Sequence, residues 1–280
     1  MKMVQNTSVG ASKFETILVD RRENGVTWVT LNRPEKRNAM NPTLHKEMTA
    51  ALDELAFDDA TRVLVLTGSG DAFCAGMDLK EVFYDLDEDQ GARARAMRAA
   101  EWRSHALRLF PKPTIAAVNG WCFGGAFTIV ASCDIVIAAN EAVFGLSEVN
   151  FGKIAGGYVS KAISEVLNPR DALFYLLTGD TFNGVEAAQM KFATRAVEKA
   201  KLEEYVTALA EKLAAKNPTV VSFSKEAFRH VSSMSYEQAG AWLGAMSQAL
   251  DHRSGVAWKA GVEQFKAGQF KPGLGHNEHN

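Results

Sequence analysis

A chain with a glycine-dense junction between a buried strand and a helix has few ways to fold. Here a mostly apolar run, residues 114–118, leads straight into Asn119-Gly-Trp-Cys-Phe-Gly-Gly-Ala-Phe-Thr128. The run reads as a buried strand, Gly120, Gly124 and Gly125 mark its turn, and residues 126–132 have helical character. Such a turn frees backbone N–H groups, because no side chain blocks approach and the first N–H groups of a helix lack internal partners. Two readings stand side by side. The donors, backed by the positive end of the helix dipole, suit an oxygen that becomes negative during a reaction. Equally, the glycines allow strand and helix to pack closely.

A second glycine-rich loop, Gly68-Ser-Gly-Asp-Ala-Phe-Cys-Ala-Gly-Met-Asp78, follows another short apolar run at 63–67. Upstream, residues 15–20 and 26–31 form a hairpin pattern joined through Glu23-Asn24-Gly25. A polar loop with two consecutive basic side chains comes next, and Asn41-Pro42 opens a helix expected to reach Phe57. Residues 79–83 read as a helix start, 84–90 as an acidic loop, 91–109 as a long helix, and 134–138 as another buried strand. Strands alternating with helices, with glycine loops at strand C-termini, predict an α/β fold whose active site lies outside those strand ends. If the strands at 63–67 and 114–118 are neighbours, the two loops lie side by side.

From about Pro169 the pattern becomes helical, with segments expected at 170–177, 185–190, 200–216, 218–231, 236–250 and 255–268. The organisation predicted is a flexible N-terminus over 1–13, an α/β core over 14–199, a C-terminal helical region over 200–270, and a polar tail over 271–280.

The 280 residues carry a net charge of -2, which gives no nucleic-acid surface. Cys74, Cys122 and Cys133 lack metal spacing, so a reduced, cytoplasmic setting is expected. The polar N-terminus does not read as a signal peptide, and no apolar run is long enough to span a membrane.

The chemistry narrows by elimination. Ser132 and Ser147 have no histidine nearby in sequence, the six histidines form no metal-like cluster, and neither a Walker A loop nor a dinucleotide turn is present. What is left is acid–base work by a carboxylate near the glycine loops. Glu148 stands in the apolar stretch Val143 to Phe151, where burial raises a carboxyl pKa toward neutrality. The other reading of Glu148 is a carboxylate capping a nearby backbone N–H.

At this point the chain resembles the crotonase, or enoyl-CoA hydratase/isomerase, superfamily. The likeness is carried by Leu31-Asn-Arg-Pro-Glu-Lys-Arg-Asn-Ala-Met40, Phe73-Cys-Ala-Gly-Met-Asp-Leu79, Lys112-Pro-Thr-Ile-Ala-Ala-Val-Asn-Gly120, Phe123-Gly-Gly-Ala126, Cys133-Asp134 and Phe144-Gly-Leu-Ser-Glu148. Within that superfamily it most looks like the hydroxycinnamoyl-CoA (feruloyl-CoA) hydratase-lyases. Ala75 to Glu81, Asn119 to Gly125, Phe144 to Glu148 and Lys271-Pro-Gly-Leu274 carry the closer likeness.

The resemblance implies a spiral of ββα units with a helical C-terminal region, assembling as a trimer or a dimer of trimers. It implies an acyl-CoA thioester substrate and no cofactor, CoA being part of the substrate. The N–H groups of Met77 and Gly125 would form the oxyanion hole, with Glu148 as the acid–base group. Lys36 and Arg37, with Ala75, Asp78 and Leu79, would line the CoA channel, and Phe265 and Lys266 would approach its nucleotide end.

Two departures qualify the likeness. Ordinary hydratases have a second glutamate where Thr128 stands; the hydratase-lyases have a small hydroxyl residue, which Thr128 matches. The lyases also hold the phenol with two tyrosines, and those places fall at Val82 and near Trp242 here. Tyr84 and Tyr236 are close in sequence and could supply a hydroxyl; the alternative for these aromatics is helix packing. Three functions follow in order of expectation: a hydratase-lyase releasing a benzaldehyde (vanillin) and acetyl-CoA from feruloyl-CoA, a plain enoyl-CoA hydratase or isomerase, and a CoA-ester-binding protein without turnover.

Overall fold

The computed structural model describes residues 13–84, 89–255 and 257–268. The expected polar tail, the Lys271-Pro-Gly-Leu274 motif and most of the N-terminal segment lie outside them, as does most of the acidic loop. Strands β1 (Ile17–Arg21) and β2 (Val26–Leu31) form the hairpin, with Gly25 at φ +80° in its turn. Helix α1 (Pro42–Phe57) starts where Asn41 caps it: the side-chain oxygen accepts from the Leu44 N–H at 2.9 Å, and Pro42 takes the first position, where no donor is needed.

Three strand pairs then repeat one pattern. β3 (Val63–Gly68) turns into β4 (Ala72–Cys74), β5 (Thr114–Val118) into β6 (Trp121–Phe123), and β7 (Ile135–Ala139) into β8 (Val143–Gly145). The first strand of each pair joins one large sheet, ordered β1-β2-β3-β5-β7-β10, and the second joins a smaller one, ordered β4-β6-β8-β9. Helices follow the pairs: α2 (Gln90–Ala99), α3 (Ala126–Ser132) and α4 (Val159–Val166). The chain is therefore a spiral of ββα turns. Next come α5 (Pro169–Thr178), β9 (Thr181–Asn183), α6 (Gly184–Gln189), β10 (Arg195–Val197) and α7 (Leu202–Ala214). β3, β5 and β7 are parallel neighbours, so the two glycine loops are indeed adjacent. Their near-continuous apolar character follows from burial on both faces.

Several expectations change. The helix expected over 91–109 is α2 alone, followed by a 3₁₀ stretch at Ala100–Arg103 and turns. Residues Lys80–Tyr84 form a single π-helical turn rather than a helix start. The short strands β4, β6, β8, β9 and β10 carry too few residues to show a period; sequence reading passed over α4, whose Val159, Ala162, Ile163 and Val166 recur at helical spacing. The chain divides into compact units after Ala215. Helix α7, grouped from sequence with the C-terminal helices, packs on β2, β3, β5 and β7. Glu203, Thr207 and Glu211 on α7 bond Arg22 and Asn24 of the hairpin. The C-terminal unit comprises α8 (Pro218–Val231), α9 (Tyr236–Ser254) and α10 (Ala257–Lys266). Its helices start at Asn217 and at a Ser235–Gln238 capping box, and α8 packs on α9.

An aromatic cluster anchors α3 from behind. Phe127 stacks on Phe192 at 4.9 Å and Phe144 on Phe182 at 5.2 Å, with Phe127 meeting Phe144 edge-on at 6.1 Å. Phe127 and Phe144 are fully buried, so truncation leaves a cavity the rigid strands cannot close. We expect Phe144→Ala to cost about 3–5 kcal/mol of unfolding free energy, read as a lower urea midpoint at unchanged slope.

Candidate active site

Three segments meet at the strand ends. The first is Ala75 to Asp78, which follows β4 and is clipped to the chain at Arg37–Met40. Ala75 N–H donates to Arg37 C=O at 2.9 Å, Met40 N–H to Gly76 C=O at 2.8 Å, and Asp78 N–H to Met40 C=O at 2.8 Å. Met40 and Met77 thus form an isolated parallel bridge. Because Gly76 C=O and Asp78 N–H face Met40, the Met77 N–H faces the opposite side. Gly76 at φ +94° makes that turn, and a Cβ there would lie 2.9 Å from Phe123 O and 3.4 Å from Gly125 N. The Met77 loop and the Gly124–Gly125 turn are therefore in contact.

The second segment is that turn. Gly124, at φ +49°, donates its N–H to Gly145 C=O at 3.1 Å and accepts from Phe127 N–H at 3.0 Å. Gly125 then caps α3 with no side chain of its own. Among the described residues, neither the Met77 nor the Gly125 N–H meets an acceptor. The third segment is the 3₁₀ turn Ser147–Phe151 after β8, which carries Glu148. Glu148 Oε1 lies 2.9 Å from where a Cβ on Gly124 would be, so the carboxylate rests on the glycine turn. Its Oε2 is buried and has no hydrogen-bond partner. Burial pushes the Glu148 carboxyl above its ordinary value of 4.5, with a hydrogen bond from its own N–H opposing the shift. Among the described residues no other segment donates a hydrogen bond to the Glu148 carboxylate, whose donor is its own N–H.

Two asparagines fix the loops. Asn38, at φ 58°, donates to Ser69 and Ala72 carbonyls at 2.9 and 2.8 Å. Asn119 donates to Gly68 and Gly70 carbonyls at 2.9 and 3.0 Å. Both satisfy carbonyls that the tight β3–β4 connection would otherwise leave unpaired.

The remaining predicted residues are placed as follows. Lys36 and Arg37 are exposed, and the Arg37 guanidinium lies 4.5 Å over the Trp121 ring, which stacks on Phe123 at 5.2 Å. Ala75 is half-buried and Leu79 exposed. The Asp78 carboxylate is buried against Arg33 at 3.0 Å and caps the Lys80–Tyr84 turn through the N–H groups of Lys80 and Glu81. Those bonds hold its pKa low despite burial. Thr128 is buried, donates to Gly157 C=O at 3.2 Å, and borders a cavity of about 360 Å³ shared with His105, Tyr158 and Lys161. Val82 is buried and Tyr84 is exposed.

Tyr236, Trp242, Phe265 and Lys266 belong to the C-terminal unit. There Tyr236 and Phe265 are exposed, Trp242 packs on His230 at 5.1 Å, and Lys266 pairs with Glu263 at 3.1 Å. Sequence reading passed over Arg33 and Arg103, both buried. Arg33 also bonds Glu81 at 2.8 Å. For Arg33 the position beside Pro34 in the polar loop was a usable signal; for Arg103 none was present. Among the described residues no cluster of His, Cys, Asp or Glu could hold a metal, and no helix is long and apolar enough to cross a membrane.

The stacked ββα turns, with a carboxylate set against paired glycine loops, define a crotonase-fold enzyme. The family model for enoyl-CoA hydratase/isomerase matches residues 21–266, and the chain belongs to that family. A hydroxycinnamoyl-CoA hydratase-lyase from Pseudomonas fluorescens is 44% identical, over 94% of this chain and 96% of that protein. A putative enoyl-CoA hydratase from Thermus thermophilus is 33% identical over 89% of this chain and 97% of its own length. Among solved structures, the enoyl-CoA hydratase of Mycobacterium smegmatis superposes with a TM-score of 0.84 at 28% identity, covering 90% of this chain and 96% of the other. Enzymes of this family act on acyl-CoA thioesters.

The raised pKa has a stability consequence. A carboxyl whose folded pKa lies above its unfolded value binds more protons folded than unfolded, so stability falls as pH rises from 4.5 through the folded value. Above that window the folded protein holds a partly desolvated charge. We expect Glu148→Gln to melt higher than the parent at pH 7 and the difference to vanish near pH 4, measured by thermal melts across that range.

Proposed function

We propose that the protein is a hydratase-lyase acting on 4-hydroxycinnamoyl-CoA thioesters such as feruloyl-CoA, yielding a benzaldehyde such as vanillin and acetyl-CoA. The single observation that carries this reading is Glu148: a half-buried carboxyl with one buried, unpartnered oxygen, resting on the Gly124–Gly125 turn, with Thr128 rather than a second acid on the adjoining helix. The 44% identity to the hydroxycinnamoyl-CoA hydratase-lyase supports the choice among family chemistries.

In this reading the Met77 and Gly125 N–H groups hold the thioester oxygen. Glu148 takes a proton from water as the hydroxide oxygen bonds Cβ, and the double-bond electrons move to the thioester oxygen as an enolate. Glu148 returns that proton to Cα, giving the β-hydroxyacyl thioester and a restored carboxylate. It next takes the β-hydroxyl proton, the Cα–Cβ bond breaks, and the aldehyde leaves. The electron pair again rests on the thioester oxygen, and protonation at Cα by Glu148 gives acetyl-CoA. One cradle serves both halves because both pass through a thioester enolate. One acid suffices because every proton leaves it and returns to it. The reaction consumes only water and uses no cofactor beyond the CoA of the substrate.

The channel role for Lys36, Arg37, Ala75 and Leu79 is part of this proposal. So is a phenol contact by Tyr84, Tyr236 or Trp242, CoA contact by Phe265 and Lys266, and assembly as a trimer or dimer of trimers. Asp78 enters as the brace of the Met77 loop through Arg33.

A second reading, plain hydration of another enoyl-CoA, is favoured by Val82 filling the place of a phenol-binding tyrosine. Product analysis decides. Incubation with feruloyl-CoA, p-coumaroyl-CoA and crotonyl-CoA is expected to give aldehyde and acetyl-CoA from the first two. A β-hydroxyacyl-CoA as the sole product would replace the lyase reading by the hydratase one. Glu148→Gln is expected to lower kcat by about 10²–10⁴-fold, and aldehyde release near the parent rate would sink the acid–base assignment.

A further inference from the structure

We infer that Arg103 is a positioning residue for the enolate cradle, holding the Gly125 main chain from behind and setting a full positive charge beside it. The inference rests on the thioester reading above. Arg103 ends the 3₁₀ stretch after α2 and is 3% exposed. Its Nε donates to Ala100 C=O at 3.0 Å and its Nη1 to Gly125 C=O at 3.1 Å. Nη1 also lies 2.8 Å from where a Cβ on Gly125 would be, with Met77 Cγ at 3.5 Å from the same point. The guanidinium and the Met77 side chain therefore flank Gly125 together.

A buried arginine is normally paired with a carboxylate. Among the described residues the ionisable group that acts on Arg103 is the Cys74 thiol, and that thiol is itself pushed up to about 12 by burial, so it is neutral. Burial lowers the guanidinium only to about 10, leaving it charged at neutral pH. The charge is felt nearby: His45 is held down to about 3, first by its own burial and then by Arg103. Among the described residues, then, no carboxylate pairs with this desolvated cation, which lies against the residue whose N–H would meet the thioester oxygen.

That arrangement suits an anion that exists only transiently. A neutral thioester gains little from the cation, whereas an enolate gains its attraction in a poorly screened site, so the effect falls on kcat more than on KM. The hydrogen bond adds a geometric part. The charge-assisted donor fixes the Gly125–Ala126 peptide, and the Phe127 N–H donating to Gly124 C=O at 3.0 Å holds the preceding peptide, which carries the Gly125 N–H.

The experiment uses a cinnamoyl-CoA carrying a 4-dimethylamino group, whose absorption moves to longer wavelength as its carbonyl oxygen is polarised. The Glu148→Gln background keeps the probe from turning over. The protein with Arg103 intact is expected to red-shift the bound probe. Adding Arg103→Gln is expected to remove at least about half of that shift, whereas Arg103→Lys, which keeps the charge, retains most of it. With Glu148 present, Arg103→Gln is expected to lower kcat by about 10- to 100-fold with KM changed less than about 3-fold. A folded Arg103→Gln protein with the full shift and parent kcat overturns the inference. Should that variant not fold, Arg103→Lys decides alone: loss of the shift in the folded protein overturns it, and retention supports it. Absence of any shift with Arg103 intact would instead count against the thioester reading itself.

Discussion

Close contact between two loops that carry almost no side-chain bulk is what the rest of this structure serves. Gly76 and Gly125 approach so nearly that a single methyl on Gly76 would press on Phe123 O at 2.9 Å. Nothing in either loop alone enforces that distance. It is set by β3 and β5 lying next to each other in the large sheet and by β4 and β6 doing the same in the small one. The two sheets work as a pair of rulers, each fixing one end of the strand–turn–strand crossings. Asn38 and Asn119 tie the crossing of the first pair by bonding its stray carbonyls. Backbone donors placed this way need no reorganisation when charge develops, which is where preorganised sites gain most.

The electrostatics around that contact are uneven in an informative way. One acid, Glu148, is half-buried, with a buried oxygen that has no partner. One base, Arg103, is buried without a carboxylate among the described residues. The buried Arg33 is by contrast paired: it meets Asp78 at 3.0 Å and Glu81 at 2.8 Å, so that cluster reads as a brace for the Met77 loop. Among the described residues the fold pairs Arg33 thoroughly yet gives Glu148 and Arg103 no ion pair, and both of these lie beside the Gly124–Gly125 turn. Folded proteins retain such unpaired groups where an added molecule satisfies them.

Much of this was legible in the chain, and for identifiable reasons. The parallel strands showed because burial on both faces leaves continuous apolar runs, and α1 and α8 showed because Asn-Pro marks both starts. Glu148 stood out as a carboxylate in an apolar stretch. The small sheet was not legible: β4, β6 and β8 have three residues each, too few for any alternation to register, and what makes them strands is a neighbour far away in sequence. Arg103 was hidden for a related cause. Its surroundings read as one long polar helix, whereas α2 stops at Ala99 and a tighter turn carries Arg103 inward, where Gly125 C=O can accept from it. Helix α7 groups by sequence with the C-terminal helices because its own pattern is amphipathic, and amphipathicity does not say which surface the apolar face covers.

On the proposed reading, chemistry and specificity draw on different kinds of atom. The enolate is held by amides, which every residue possesses, so Met77 contributes through its backbone and its side chain is free to vary. The proton is carried by one carboxyl whose affinity is set by burial. Substrate choice is left to side chains that only touch the acyl group. Exchanging an acid for Thr128, or a tyrosine for Val82, then alters which thioester fits without disturbing the amides or the Glu148 environment. That separation explains how relatives named as hydratases and as a hydratase-lyase can share one scaffold. Cleavage asks for nothing new from the cradle, since the same enolate forms in both directions; it asks that the β-hydroxyl proton lie within reach of Glu148 and that the departing aldehyde be stabilised by its own aryl ring.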